Sequence, residues 1–442
     1  MPYLVHSPED RQAMLDAIGV DSMESLLSDI PAALRVGRLG LPLGLSEPEV
    51  MARVRTMAAR NRIFDDRLTF RGGGVYRRFI PAAVAAITSR PDFYTAYTPY
   101  QPEASQGWLQ AIFEFQTLIA ELTAMDVANA SLYDGATAVA EAAMMAVVHT
   151  GRDRVLVAGY LHPEYEETLR GYAKGRKFNV LHHSPAEGTI DPSRLEAELD
   201  DGIAAVIFQQ PNFLGLVEEA AAVTALAHEH GALAIACVDP ISLALLAPPG
   251  QYNADIAIGE GQQLGLAPSF GGPHVGFMAC RQDLIRRLPG RLVGQAFDHD
   301  RRRGFVLTLQ AREQHIRRDK ATSNICTNHA LCALAATVYL TYMGPDGLES
   351  IARTSMSRAH HLAARLTELP GFERAFPRAA FVNEFPLKVD NPEEVLARLA
   401  EQGILGGLEA GRWFSSLDGL LVFSCTELND VAALDQLVGA CR

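Results

Sequence analysis

Between Arg154 and Cys280 the sequence switches repeatedly between two periodicities. Short β-branched runs (RVLVAG, FNVLHH, AAVIFQQPN, ALAIACVDP, ADIAIGEG, VGFMAC) alternate with helical ones (PEYEETLRGYAK, PSRLEAELD, AAVTALAHEHG). Strand and helix in strict alternation imply a mostly parallel sheet with right-handed crossovers and helices on both faces. In such a sheet, chemistry gathers at the carboxyl ends of the strands. This α/β region is expected to span residues 66–343. Residues 1–65 read as a helical arm with Ser-Pro and Ser-Glu-Pro starts suited to helix N-termini. Residues 344–442 mix helix and strand, as a smaller α+β domain would. Within the large domain, Trp108, Ile112, Phe115, Ile119 and Leu122 recur at helical spacing and predict one apolar stripe. QARE through IRRDK reads as a charged helix with a Glu313–Arg317 pair.

Charge narrows the partners. Asp and Glu total 52 against 39 Lys and Arg, a net −13, which argues against nucleic acid or an anionic membrane, since both reward clustered positive charge. No apolar run approaches the ~18 residues of a membrane span, and MPYLVHSPED lacks a secretory layout, so the chain reads as cytoplasmic. The six cysteines form no CxxC pair and read as reduced, buried thiols. His274 and His315 have no companions at metal-ligand spacing, and no metal is expected.

Three features bear on chemistry. In LYDGATA, Asp134 and Gly135 open onto a helix whose N–H groups, with the Thr137 hydroxyl, could hold a phosphate; any capped helix offers as much. Asp239 ends a strand roughly 100 residues further on, the layout in which pyridoxal-phosphate enzymes of the aminotransferase type place the acid that pairs with the pyridinium nitrogen. A plain strand-end Asp before Pro240 would look the same. In that layout a lysine forms the Schiff base just past the next strand. Here that place reads GEGQQLG, and Glu260, Gln262 and Gln263 cannot make the bond. The chain has only four lysines: Lys174 and Lys177 precede the acid, Lys320 falls in the charged stretch and Lys388 in the small domain. The scaffold is thus that of a pyridoxal-phosphate enzyme without its anchor.

The strings FYTAYTPYQPEASQG, YDGATAVAEA, GEGQQLG with SFGGPHVGF, PGRLVGQ and FVLTLQAREQHIRRDKATSNICTNHALCALAATVYL resemble the glycine cleavage system P-protein family, in its N-terminal half, which some bacteria make as a separate subunit 1 or alpha. The resemblance implies the type I pyridoxal-phosphate fold. It also implies a lysine-bearing subunit 2 (beta) that carries the coenzyme, with glycine as substrate and the lipoyl arm of H-protein as acceptor of the aminomethyl group. In this chain it implies no covalent cofactor and a vestigial pocket at Asp134, Gly135, Thr137 and Asp239. Tyr97, Tyr100 and Glu103 are expected to reach a shared site, with the Gly72–Gly74 turn lining its entrance. RGGGVYRRF departs from the expected pattern in its added arginines. Competing readings are an independent pyridoxal-phosphate aminotransferase or desulfurase and a non-catalytic scaffold.

Overall fold

The computed structural model describes residues 5–37 and 39–442, in two compact units, 1–63 and 64–442. The first carries helices Pro8–Ile18 and Glu47–Ala58. Ser7 caps the former reciprocally: Asp10 N–H donates to its Oγ at 3.1 Å, and its own N–H donates to the Asp10 carboxylate at 2.9 Å.

The second unit is built on a seven-stranded sheet of β1 (Val127–Ala128), β2 (Arg154–Ala158), β3 (Asn179–His183), β4 (Ile203–Gln210), β5 (Leu233–Val238), β6 (Ile256–Glu260) and β7 (Gly276–Cys280), in the order β1-β7-β6-β5-β4-β2-β3. Strands β2 to β6 are parallel, and β7 is antiparallel to both of its neighbours. Both faces are buried, as a parallel sheet requires. Val206, Phe208, Ala234 and Ala236 join one apolar cluster, while Ala205, Ile207, Ile235 and Cys237 alternate into another. Helix Gly135–Thr150 covers the second face through Val139, Ala142 and Ala143. Helix Gln106–Thr123 covers the first, its predicted stripe burying Phe115 and Ile119.

A hairpin, β8 (Leu292–Phe297) and β9 (Arg303–Thr308), comes after the main sheet. Helical residues Ala330–Leu366 then run on, broken only by the non-helical backbone of Gly344 (φ 59°). Strands β10 (Phe372–Arg374), β11 (Glu384–Val389), β12 (Leu408–Glu409) and β13 (Leu420–Ser424) form an antiparallel sheet around Phe385, Leu387, Leu421 and Phe423. All six cysteines are free. Among the described residues no helix is long and apolar enough to cross a membrane.

The charged helix expected over 310–320 is not continuous. The segment is a turn (Gln310–Arg312), a four-residue helix (Gln314–Arg317) and another turn (Arg318–Lys320), preceded by left-handed backbone at Leu309 (φ 51°) and broken by positive φ at Arg318 (57°). Glu313 is buried, and its carboxylate faces Arg291 at 3.5 Å rather than Arg317. An interior cation outcompetes a solvated one at helical spacing.

Candidate functional site

The Asp134–Thr137 turn and Asp239 both abut the segment just past β6. Asp134 caps its helix by accepting the Thr137 N–H at 2.7 Å. The free Gly135 N–H, at the positive end of the helix, donates to the Glu260 carboxylate at 2.9 Å. Glu260 also accepts from the N–H groups of Gln262 (2.8 Å) and Val275 (3.2 Å) and lies 3.4 Å from His274 Nδ1. It is 8% exposed. Its hydrogen bond raises the imidazole pKa of His274. A carboxylate of this chain therefore meets the Gly135 N–H at the positive end of the helix. Close packing here also requires glycine at 135, where a Cβ would sit 2.6 Å from the Tyr165 hydroxyl.

Asp239 is engaged as well. It accepts from Ser242 N–H at 2.7 Å and from the Gln263 side-chain amide at 2.5 Å. Gln263 in turn accepts from Arg78 at 2.7 Å, and Arg78 pairs with Glu427 at 2.7 Å. Gln262 accepts the Tyr76 N–H at 2.9 Å and donates to the Tyr76 carbonyl at 3.1 Å. The Tyr76 hydroxyl donates to Glu384 at 2.6 Å, and the Gly73 N–H donates to the same carboxylate at 2.8 Å. Burial pushes Glu384 up to about 7 against those two hydrogen bonds. His162 stacks on Tyr165 (centroids 4.4 Å apart), has its Nε2 2.9 Å from the Gly73 carbonyl, and is held below its usual pKa by burial.

These residues do not fit pyridoxal phosphate. The phosphate cradle holds Glu260 and the strand-end acid holds Gln263. All four lysines are exposed. The Gly72–Gly74 turn, expected at the entrance of a shared site, is half-buried and packs against Glu384 and His162. A Cβ on Gly72 would come 1.9 Å from Glu384 Oε1, and one on Gly74 2.8 Å from the His162 ring. The two arginines after this turn differ in role, since Arg78 is buried in this network while Arg77 pairs with Asp66.

Tyr97, Tyr100 and Glu103 lie elsewhere, on an open edge. Tyr97 is 78% and Tyr100 54% exposed, and Glu103 is exposed in the turn Pro102–Ala104. Gln106 pins the segment to β9 by donating to the Pro102 and Phe305 carbonyls (2.7 and 2.9 Å) and accepting the Phe305 N–H (2.8 Å). Neither the Tyr97 hydroxyl nor the Glu103 carboxylate has a hydrogen-bond partner among the described residues. Tyr100 accepts from Arg291 at 3.1 Å. His315 faces Glu313 at 3.6 Å and joins no group of metal-ligating side chains among the described residues.

Sequence reasoning assigned no role to Glu260, Gln262, Gln263, Tyr76, Glu384 or Arg291. For Arg291 the available signal was PGRLVGQ standing among the recognised strings.

With this geometry in hand, the comparisons with known proteins are specific. The glycine cleavage system P-protein family matches residues 1–439. A probable glycine dehydrogenase (decarboxylating) subunit 1 of Moorella thermoacetica is 49% identical, covering 100% of this chain and 99% of that protein. The crystal structure of a glycine decarboxylase (P-protein) of the glycine cleavage system, in inhibitor-bound form, is 44% identical with a TM-score of 0.92, covering 100% of this chain and 99% of that one. A C-DES variant with glycine covalently linked to its PLP cofactor shares only 16% identity but a TM-score of 0.62, covering 88% and 98%. That likeness shows the fold, type I of the pyridoxal-phosphate-dependent enzymes.

Proposed function

Because the chain belongs to the glycine cleavage system P-protein family, we propose that it is the lysine-less subunit of a two-subunit glycine decarboxylase, completing a site whose pyridoxal phosphate is carried by a lysine-bearing partner. The observation that supports this reading is the pocket: Glu260 takes the Gly135 N–H, Gln263 takes Asp239, and all four lysines are exposed.

In this reading the pair acts in the cytoplasm. It releases the glycine carboxylate as CO2 and passes the aminomethyl group to the lipoyl arm of H-protein. The coenzyme, when bound by the partner, supplies the electron sink. This chain contributes the Tyr97 and Tyr100 hydroxyls and the Glu103 carboxylate, which orient the substrate, while the proline-stiffened loop around them excludes water. Exposure and missing partners at Tyr97 and Glu103 support that role, since polar groups without partners in one chain are available to another.

An independent pyridoxal-phosphate enzyme would need a free acceptor site at Gly135 and an amine beside it; the Glu260 carboxylate at Gly135 and the exposure of all four lysines weigh against it. The test is reconstitution. Glycine-dependent CO2 release with lipoylated H-protein should be absent for each subunit alone and appear on mixing. Full activity of the lysine-bearing subunit alone would reject the proposal.

A further inference from the structure

Among the described residues the largest fully buried side chain is Arg291, 1% exposed, within PGRLVGQ just before β8. Its backbone is fixed, the carbonyl accepting the Ala130 N–H at 3.0 Å. Its guanidinium is not fully engaged. Nη2 donates to the Tyr100 hydroxyl at 3.1 Å and makes a longer contact with Cys326 Sγ at 3.8 Å. Nη1 lies 3.5 Å from Glu313 Oε2, an ion pair without a hydrogen bond, and Nε, Nη1 and Glu313 Oε2 all lack hydrogen-bond partners. The guanidinium carbon is also 4.9 Å from the Tyr100 ring centroid. A buried arginine is ordinarily surrounded by acceptors, because its fork of N–H groups is costly to desolvate. Here the one oxygen it hydrogen-bonds belongs to a tyrosine that is 54% exposed.

That pairing has a direction. Arginine only donates, so the Tyr100 oxygen must accept, and its own proton is left for an acceptor elsewhere. On the proposed function, that acceptor arrives with the partner-borne substrate. We infer that Arg291 is a positioning residue for the shared site: its guanidinium fixes the Tyr100 hydroxyl in place as a hydrogen-bond donor toward the open edge. The inference rests on the proposed function and adds a residue that acts through Tyr100 without touching substrate. It also gives the QARE string a task, since Glu313 balances the buried charge of Arg291.

The test is a double-mutant cycle in the reconstituted pair, with Tyr100→Phe, Arg291→Met, Arg291→Lys and the combinations. Tyr100→Phe and Arg291→Met should each lower kcat/KM for glycine by about tenfold, the scale of one charge-assisted hydrogen bond, and the combination should lose no more than either alone. Arg291→Lys should recover part of the loss, and its combination with Tyr100→Phe should likewise show no added loss, which carries the test if Arg291→Met does not assemble. Wild-type activity in the Arg291 variants, or losses that multiply, would overturn the inference while leaving the shared site standing. Wild-type activity in Tyr100→Phe would remove both.

Discussion

The pocket behind the Asp134–Thr137 turn and the edge carrying Tyr97, Tyr100 and Glu103 are opposites. In the pocket the polar groups are answered from within this chain: Glu260 for the Gly135 N–H, Gln263 for Asp239, and Tyr76 with Gly73 for Glu384. At the edge, polar groups stand exposed or unpartnered, and a buried guanidinium leans on a half-exposed tyrosine. On the proposed function, the difference separates a pocket filled by this chain's own groups from an edge that a second chain would complete. Substitutions in the first should act on stability, and substitutions at the second on turnover.

The largest effect is expected from Gly72→Val. Its Cβ would meet Glu384 Oε1 at 1.9 Å, so the urea midpoint should fall by an amount equivalent to about 3 kcal/mol or the chain should not fold. Glu260→Ala comes next. It leaves the Gly135, Gln262 and Val275 N–H groups without their acceptor and should cost about 2 kcal/mol. Added inorganic phosphate should then raise the midpoint of the variant but not of the wild type, because the vacated cradle binds an anion. An unchanged midpoint in Glu260→Ala would break the contrast from the pocket side.

Tyr97→Phe should do the reverse, leaving the midpoint within about 0.5 kcal/mol of wild type while turnover of the reconstituted pair drops about tenfold. A stability loss like that of the pocket variants would break the contrast from the other side.

A pH-dependent effect belongs to Glu141, buried on the helix that Asp134 caps, with Oε1 unpartnered and its pKa pushed from 4.5 up to about 7 by desolvation. A raised carboxyl pKa means its contribution to stability is present below about 4.5 and lost as pH rises through about 7. Glu141→Gln cannot ionise. Urea midpoints of the two proteins should differ less at about pH 5 than at about pH 8, with the variant gaining relative to wild type as pH rises. A constant difference across that range would contradict the assignment.

Much of the fold was legible because it depends on local periodicity. The apolar alternation of RVLVAG through VGFMAC marked the strands, and the stripe from Trp108 to Leu122 marked a helix without knowledge of its neighbours. The missing lysine was legible too, since only the residues immediately past β6 had to be inspected for an amine. The groups that fill the pocket were not, because Gly135 and Glu260 are 125 residues apart and Tyr100 and Arg291 are 191 apart, and no spacing rule joins them. The broken helix after Leu309 has the same origin: charge pattern favoured one continuous helix, while burial of Glu313 against Arg291 reorganised the segment. The Gly72–Gly74 turn was visible as a turn, but its destination against Glu384 and His162 was set by tertiary packing.

The proposed division of labour between two subunits stands most directly on where the coenzyme is anchored. Borohydride reduction of the reconstituted pair with pyridoxal phosphate, followed by peptide mapping, measures it. The prediction is one stoichiometric label per pair, on the partner subunit, with none on Lys174, Lys177, Lys320 or Lys388 of this chain, whether paired or alone. A saturable, stoichiometric label on any of those four lysines would contradict it.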